Sequence, residues 1–244
     1  MRKFLLLMVC FCLLTGCAPA PSPTPAAEPK ISITAEHSSL TAQDGTVLLR
    51  RTSPRIIVTM PTTAAADAIY QSLSETEKQW TQDLADWEGI ITEAYQQGKA
   101  WEPWFCEIKA EPMRLDKQVL SIYYQCSKFS GGNHPALLVD GVNFDSHSGR
   151  KLALSDLLAE GHALWELTTL VNEELALLRD QLYDDYEALV SKAFSDGDIP
   201  AWYLSDSGLC FAFAPYAIGP YASGIITIEL SYEKLGQMLR PAYL

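Results

Sequence analysis

The 244-residue sequence is short of positive charge. It has 18 Lys and Arg residues against 30 Asp and Glu residues, which gives a formal net charge of −12. A surface with this excess of carboxylates repels nucleic acids and anionic membranes at long range, so neither is an expected partner. Hydrophobic residues still make up 48% of the chain. This composition excludes wholesale disorder and suffices for one or two globular domains.

Motifs for metal binding and for nucleophilic catalysis are also missing. The four histidines form no HxH, HxxxH or HExxH spacing, and the chain has no CxxC pair and no GxSxG motif. We therefore expect no catalytic residue, no metal and no cofactor, and the chain is not predicted to be an enzyme. An acidic chain always offers pairs of carboxylates, so an envelope hydrolase stays open as a third and weaker interpretation.

No apolar run is long enough to span a membrane, which takes about 18 residues or more. Residues 4–14 form a short apolar run after a basic start, as in a signal peptide. The next residues, LTGC at 14–17, resemble the lipobox of bacterial lipoprotein signal peptides. This resemblance implies cleavage before Cys17 and a diacylglycerol on its sulfur; the alternative is an ordinary secretory signal with a chance cysteine. We expect residues 1–16 to be the signal peptide of an extracytoplasmic protein, lipid-anchored to the bacterial cell membrane.

The mature chain is expected to begin with a spacer and to be more acidic than the precursor. Residues 17–30 are rich in proline and have little that could pack, which predicts an extended linker. Loss of the signal removes two basic residues and no acidic one, so the net charge becomes 16 − 30 = −14. Outside the membrane this charge favours a basic protein as partner.

Three cysteines remain after Cys17, and an odd number leaves at least one unpaired. Cys106 and Cys126 lie in two strand-like runs joined by a turn near Asp116. A turn centred on Asp116 places these two cysteines opposite each other, since each is ten residues away. The sequence leaves open a cross-strand disulfide between them and a pair of free thiols. Cys210 lies in an apolar run and is predicted to be a buried thiol.

Apolar residues that recur at steps of three or four predict two long helices, over residues 63–98 and 162–194. Alternating and β-branched runs joined by short turns predict strands at 31–34, 45–60, 136–144 and 221–231, a hairpin at 103–128, and strand sequence at 201–214 with a turn at 206–208. The expected fold is α+β, a mainly antiparallel sheet packed with two long helices. We divide the chain into an N-terminal half, 31–129, and a C-terminal half, 130–244, which together form one packed unit.

Four segments occur together in a known family. They are SGGNHP at 130–135, NFD and SGRK within 143–151, LSDLL at 154–158, and the run from Leu209 to Gly224. Their order and spacing resemble the extracytoplasmic domain shared by a lysozyme-sensing anti-sigma factor of Gram-positive bacteria and a peptidoglycan deacetylase. The resemblance covers about residues 31–240. It implies the α+β fold and an envelope location.

The resemblance also suggests a binding role. The anti-sigma relative binds lysozyme through this region, whereas the deacetylase relative has its catalytic metal ligands in a separate domain that is not recognised here. We expect a non-catalytic binding module whose partner is a lysozyme-like cationic protein. The alternative is recognition of peptidoglycan glycan, in which Trp and Tyr rings stack on sugars.

Four residues form the predicted binding surface. Asn133 and His134 follow a Gly-Gly pair, and Tyr216 and Tyr221 lie in a bend that contains two prolines. Tyrosine provides contact area and a hydroxyl at a small entropy cost, which suits recognition. The alternatives are that His134 is a structural turn residue and that both tyrosines pack over the end of the sheet.

Overall fold

The structure, a computed structural model, describes residues 28–98 and 102–244. The predicted signal peptide, the lipidation site Cys17 and the linker up to residue 27 lie outside these residues. In the part of the chain that is described, no helix is both long and apolar enough to cross a membrane.

Five strands form the first sheet, in the order β1-β2-β3-β4-β5. Neighbouring strands are antiparallel except β2 and β3, which are parallel. A parallel pair needs a crossover connection, and two helices between β2 and β3 supply it. The strands are β1 (Lys30–Thr41), β2 (Val47–Thr59), β3 (Trp104–Leu115), β4 (Val119–Phe129) and β5 (Ala136–Asp145).

Two helices, α1 (Thr63–Thr81) and α2 (Leu84–Gln96), occupy the region predicted as one helix. The hydroxyl of Thr62 accepts a hydrogen bond from the amide of Ala65 at 3.1 Å, which caps the start of α1. The apolar stripe of α1 packs against the first sheet. The helix breaks just before α2, where the Asp83 carboxylate accepts a hydrogen bond from Lys128 of β4 at 2.9 Å.

The β3–β4 hairpin has a different register from the predicted one. The Asp116 carboxylate accepts hydrogen bonds from the amides of Gln118 at 2.7 Å and Val119 at 2.8 Å. The turn is therefore centred after Asp116 rather than on it. A β-bulge between Pro112 and Arg114 shifts the pairing again.

This register corrects the predicted arrangement of the two hairpin cysteines. Cys106 pairs with Lys128 and Cys126 pairs with Ile108, so the prediction that the cysteines lie opposite each other is wrong. They are diagonal neighbours across the hairpin. Both are free and buried in the structure, as is Cys210, and a disulfide between the diagonal pair stays a prediction.

The second sheet is antiparallel and consists of β6 (Ala201–Leu204), β7 (Gly208–Phe213) and β8 (Ile226–Ser231). It packs with α3 (Leu164–Leu175) and α4 (Tyr186–Asp196), and the short α5 (Tyr232–Leu235) follows β8.

The α+β class with mainly antiparallel strands is confirmed, with two sheets and with both long helices divided. A 3₁₀ segment, Ala176–Gln181, separates α3 from α4. One helix over residues 162–194 would be about 50 Å long. Division instead lets both helices bury their apolar faces in one core.

Strands β5 and β6 bring the two sheets into contact. A Cβ atom on Gly141 of β5 would lie 1.8 Å from the carbonyl oxygen of Trp202, so only glycine fits there. Next to this contact, the buried side chain of Asn143 accepts a hydrogen bond from Ser121 at 2.6 Å and donates one to the Trp202 carbonyl at 3.0 Å. The Ser121 hydroxyl in turn accepts from the Leu204 amide at 2.9 Å. Every bond of this network crosses between elements, which fixes how the sheets meet.

Candidate functional site: an exposed histidine–tyrosine cluster

Two loops meet at the candidate site. Residues 130–135 connect β4 to β5, and residues 214–225 connect β7 to β8. Gly131 and Gly132 have φ angles of +90° and +107°, a region that other residues avoid, so the glycine pair turns the first loop sharply. Together the loops present three of the four predicted binding residues as one group: His134, Tyr216 and Tyr221, here called the aromatic cluster.

The rings of the aromatic cluster contact one another. His134 stacks on Tyr221 with ring centroids 3.7 Å apart and an interplanar angle of 23°. Tyr216 lies 5.8 Å from Tyr221 and 6.2 Å from His134 between centroids. Tyr216 is 58% exposed, although large aromatic residues usually bury most of their surface. Asn133 is exposed beside His134, while the ring contacts join the other three residues.

Hydrogen bonds fix the orientation of these rings. The Pro135 carbonyl accepts from the Tyr221 hydroxyl at 2.9 Å and contacts Nδ1 of His134 at 3.1 Å. Because a carbonyl only accepts, this contact assigns the proton to Nδ1. With the proton on Nδ1, Nε2 is the acceptor for the Tyr216 hydroxyl, which lies 3.2 Å away. The cluster is thus preorganised, with little side-chain entropy left to lose on binding.

Tyr216 has a strained backbone. Its φ of +72° is the only positive value at a non-glycine residue within 28–98 and 102–244. A left-handed conformation costs a residue with a Cβ atom about 1–2 kcal/mol. The amide of Tyr216 donates to the Gly219 carbonyl at 2.9 Å, which closes the loop around the strained residue. Strain that the surroundings maintain is often associated with function.

The tyrosine loop is attached to an acidic segment, defined here as residues 180–187. The amide of Tyr183 donates to the Ile218 carbonyl at 2.9 Å, and the Ser223 hydroxyl donates to the Gln181 carbonyl at 2.8 Å. A Cβ atom on Gly219 would lie 2.4 Å from the Gln181 carbonyl oxygen, so the approach also requires glycine. The exposed acids of the segment are Asp180, Asp184, Asp185 and Glu187.

These acids belong to the most negative part of the chain. Residues 155–233 contain 14 Asp and Glu residues but two Lys and Arg residues, a net charge of 2 − 14 = −12. Arg179 lies next to the acidic segment and pairs with Asp184 at 2.9 Å. The aromatic cluster is therefore held beside four exposed carboxylates, one of which is paired with Arg179. Such a surface attracts cations and speeds their encounter.

No metal site accompanies the cluster. Among the described residues, no group of three or more His, Cys, Asp and Glu side chains could hold a metal ion. Two tyrosines and a histidine provide flat surface, two hydroxyls and the ring nitrogens. These groups are suited to contact with a partner, because aromatic rings bury large areas while their polar atoms make directed hydrogen bonds.

The architecture defines an α+β protein of two packed sheets with an aromatic cluster on the loops at their edge. Residues 155–233 match the model of a family described as a protein of unknown function, DUF3298. The matched part contains both tyrosines of the cluster and the acidic segment, whereas His134 and Asn133 precede it. The comparison with curated proteins gave no match.

Two solved structures share the fold. A member of the DUF3298 family from Bacteroides fragilis is 19% identical, with a TM-score of 0.61 over 89% of this chain and 96% of that chain. A DUF3298 family protein from Pseudomonas aeruginosa is 16% identical, with a TM-score of 0.58 over 91% of this chain and 99% of that chain. At these identities the likeness shows that the fold is common to all three proteins.

Sequence reasoning did not single out an exposed tryptophan. Trp165 of α3 is 70% exposed, although it lies in a helix whose other face is buried in the core. The signal was present in the sequence, since Trp165 is outside the Leu167–Val171–Leu175 stripe. A tryptophan on the polar face of an amphipathic helix is unusual, and it marks that face as a candidate contact surface.

Proposed function

We propose that the chain is a lipid-anchored, non-catalytic binding module of the bacterial cell envelope that binds a cationic protein of the lysozyme type at the aromatic cluster. The observation that supports this most is the strained, 58% exposed Tyr216, held in contact with His134 and Tyr221. Tyrosine is enriched among the residues that dominate binding energy at protein interfaces.

The charge distribution favours a basic partner. The acidic segment lies directly under the tyrosine loop and belongs to a region of net charge −12. Opposite charges on two proteins speed association, and salt screens this effect. A cationic protein would therefore arrive quickly through charge and be retained through contact with the rings.

The lipid anchor on Cys17 and the linker would position the module outside the membrane. The lipobox-like LTGC supports the anchor, and the proline-rich residues 17–30 support the spacer. Metabolic labelling with a fatty-acid analogue tests this part: the full chain should be labelled and Cys17→Ser should not. Labelling of that variant would contradict the lipobox assignment.

The test of the partner is calorimetry of the full chain with lysozyme at low and at physiological salt. We expect binding at both salt concentrations, with lower affinity at the higher one. Tyr216→Gly removes the ring and suits the positive φ, so it should weaken binding about 30-fold while thermal stability is kept. Trp165→Ala, an exposed aromatic outside the cluster, is the matched control and should bind normally.

Absence of lysozyme binding at either salt concentration would overturn the proposal that the partner is of the lysozyme type. Normal binding by Tyr216→Gly would overturn the proposal that the aromatic cluster is the binding site.

A second pair of variants separates local charge from net charge. Asp185→Asn removes an exposed acid in the acidic segment, and Asp206→Asn removes one in the β6–β7 turn. Both change the net charge equally. Only Asp185→Asn should slow association with lysozyme, because steering depends on charge near the contact. An equal effect of both would point to non-specific attraction instead.

Peptidoglycan glycan is the alternative ligand of the module, since exposed tyrosine rings also stack on sugars. Sedimentation with purified cell wall distinguishes the two proposals. Glycan stacking should resist salt, whereas a complex formed through charge should weaken as salt rises.

A further inference from the structure

A groove between α3 and α4 has the chemistry of a small-ligand site. Its volume is about 330 Å³, near the lower end of the range for small-molecule sites. It shares no residue with the aromatic cluster. Four of its lining residues lie on one face of α3, because two threonines are three and four residues from both the tryptophan and the asparagine: Trp165, Thr168, Thr169 and Asn172.

Asn172, which lines the groove, has a side-chain oxygen without a hydrogen-bond partner. Its Oδ1 is buried and has no hydrogen-bond partner among the described residues. A buried acceptor that lacks a donor costs about 1–3 kcal/mol. Oδ1 has almost no accessible surface, so the Asn172 side chain must turn toward the groove before a ligand's hydroxyl or amide N–H can donate to it and remove this cost.

The α4 side of the groove offers hydrogen-bond acceptors. The Ser191 hydroxyl donates to the Glu187 carbonyl at 2.7 Å, and the Ser195 hydroxyl donates to the Lys192 carbonyl at 2.9 Å. Their protons are thus in use, and their lone pairs remain for a ligand's hydroxyl groups. Phe194 also lines the groove and is buried between the two helices and the core.

The composition of the groove selects the class of ligand. None of its lining residues is charged, so an anion or a cation would gain no counter-ion there. One exposed indole ring beside hydroxyl and amide groups matches a ligand with an apolar face and many hydroxyls. Aromatic rings contribute apolar contact, and a few polar groups then fix orientation.

We propose that the groove between α3 and α4 is a binding site for a neutral saccharide, with Trp165 stacking on a sugar ring and Asn172 Oδ1 accepting a hydrogen bond from it. This site is independent of the cationic-protein site at the aromatic cluster. It gives the glycan alternative its own location in the molecule.

The test is saturation-transfer NMR and calorimetry on the full chain in a detergent without a sugar headgroup. The probes are the neutral disaccharides N,N′-diacetylchitobiose and cellobiose, with glucose 6-phosphate as the charged comparison. We expect at least one neutral disaccharide to bind and glucose 6-phosphate not to. Binding of chitobiose alone would mean that an acetamide N–H donates to Asn172 Oδ1. Binding of both disaccharides would mean that a sugar hydroxyl donates to it.

Two variants locate the binding. Trp165→Ala should weaken disaccharide binding at least about tenfold, through loss of the stacking surface. Asn172→Leu removes the unpartnered acceptor at similar size and should weaken binding about fivefold while thermal stability is kept or raised. Leu177→Ala changes a similarly exposed apolar residue outside the groove; this matched control should bind normally.

Three results would overturn the proposal. The first is no binding of either neutral disaccharide, and the second is equal binding by the parent and by Trp165→Ala. The third is a dimer of the full chain that Trp165→Ala dissociates, which would assign the groove to a second copy. Because Tyr216→Gly leaves this groove intact, its disaccharide binding should be normal, which separates failure here from failure at the aromatic cluster.

Discussion

Two aspartates on β5 experience opposite electrostatic environments. Burial raises the pKa of Asp140, and Lys151 and the Gly141 amide offset this only in part. Burial also raises the pKa of Asp145, but hydrogen bonds from the Ser148 hydroxyl and amide, both 2.7 Å, outweigh it and lower the pKa overall. Folding therefore opposes ionisation of Asp140 and favours ionisation of Asp145.

Substitution of Asp140 should stabilise the protein at neutral pH. The pKa of Asp140 is higher in the folded state than in the unfolded state, so ionisation of this carboxyl destabilises the fold. The full cost is present above the folded-state pKa and disappears below the ordinary pKa of 3.8. Asp140→Asn cannot ionise and keeps an oxygen that accepts from the Gly141 amide at 2.7 Å. Its melting temperature should exceed that of the parent at neutral pH, and the gap should close as the pH falls toward 3.8.

Asp145→Asn is the matched control, with the opposite sign. The lowered pKa of Asp145 means that its ionised form stabilises the fold above 3.8 and that this stability is lost as the pH falls through the folded-state pKa. Asp145→Asn should therefore melt below the parent at neutral pH, and this gap should also close in acid. Melting temperatures that shift in the same direction for both variants would contradict the assignment.

At the scale of elements, the approach of β5 to β6 makes Gly141 sensitive to one added methyl group. A Cβ atom there would meet backbone atoms of Trp202 at 1.8, 2.5 and 3.2 Å, and backbone cannot rotate away as a side chain can. Gly141→Ala should separate the two sheets locally and reduce the free energy of unfolding by about 3 kcal/mol or more, measured by urea denaturation.

Gly89→Ala is the control for this substitution. Gly89 lies inside α2, and a Cβ atom there would meet nothing within 4 Å. Alanine has the higher helix propensity, so this variant should gain about 1 kcal/mol in stability. A loss of stability at Gly89 similar to that at Gly141 would show that the effect arises from glycine itself rather than from the contact between strands.

Elements were more predictable from the sequence than their pairing. The strand at 136–144 and the hairpin at 103–128 were found because alternation and turn residues are local signals. The registers were not, because the Pro112–Arg114 bulge and the hydrogen bonds of Asp116 moved Cys126 opposite Ile108. The breaks in the long helices were missed for a similar reason, since an apolar stripe continues across a break that tertiary packing imposes.

At the candidate site, too, the residues could be predicted from the sequence but their contacts could not. Motifs identified Asn133, His134, Tyr216 and Tyr221, but the sequence could not show that His134 stacks on Tyr221 across two distant loops. Nor could it show the buried Oδ1 of Asn172, because an unpaired atom is a property of the packed structure. Long-range contacts such as these depend on how the two sheets are joined.

At the scale of the whole molecule, Arg114 connects the first sheet to the C-terminal elements. It is 8% exposed, and its Nε donates to Asp116 at 2.7 Å. Its terminal nitrogen donates to the Tyr232 hydroxyl at 2.6 Å and to the Tyr243 carbonyl at 2.7 Å. With the Ser121–Asn143 network, these bonds couple the two sheets on both sides of β4. We therefore expect the described residues to unfold as one cooperative unit.

Arg114→Met should destabilise the whole molecule by about 2–4 kcal/mol, because each of its three buried or half-buried partners loses one hydrogen bond. Lys109→Met on the same strand is the control, since its ion pair with Glu107 is exposed and worth less than about 1 kcal/mol.

Thermal unfolding of the Arg114 variant, followed by far-ultraviolet circular dichroism and by tryptophan fluorescence, should give one transition at a lower temperature with coincident midpoints. Trp80, Trp87 and Trp104 report the first sheet and its helices, while Trp165 and Trp202 report the second. Two separate transitions, with the first-sheet transition unmoved, would mean that Arg114 stabilises the C-terminal elements alone and that the sheets fold independently.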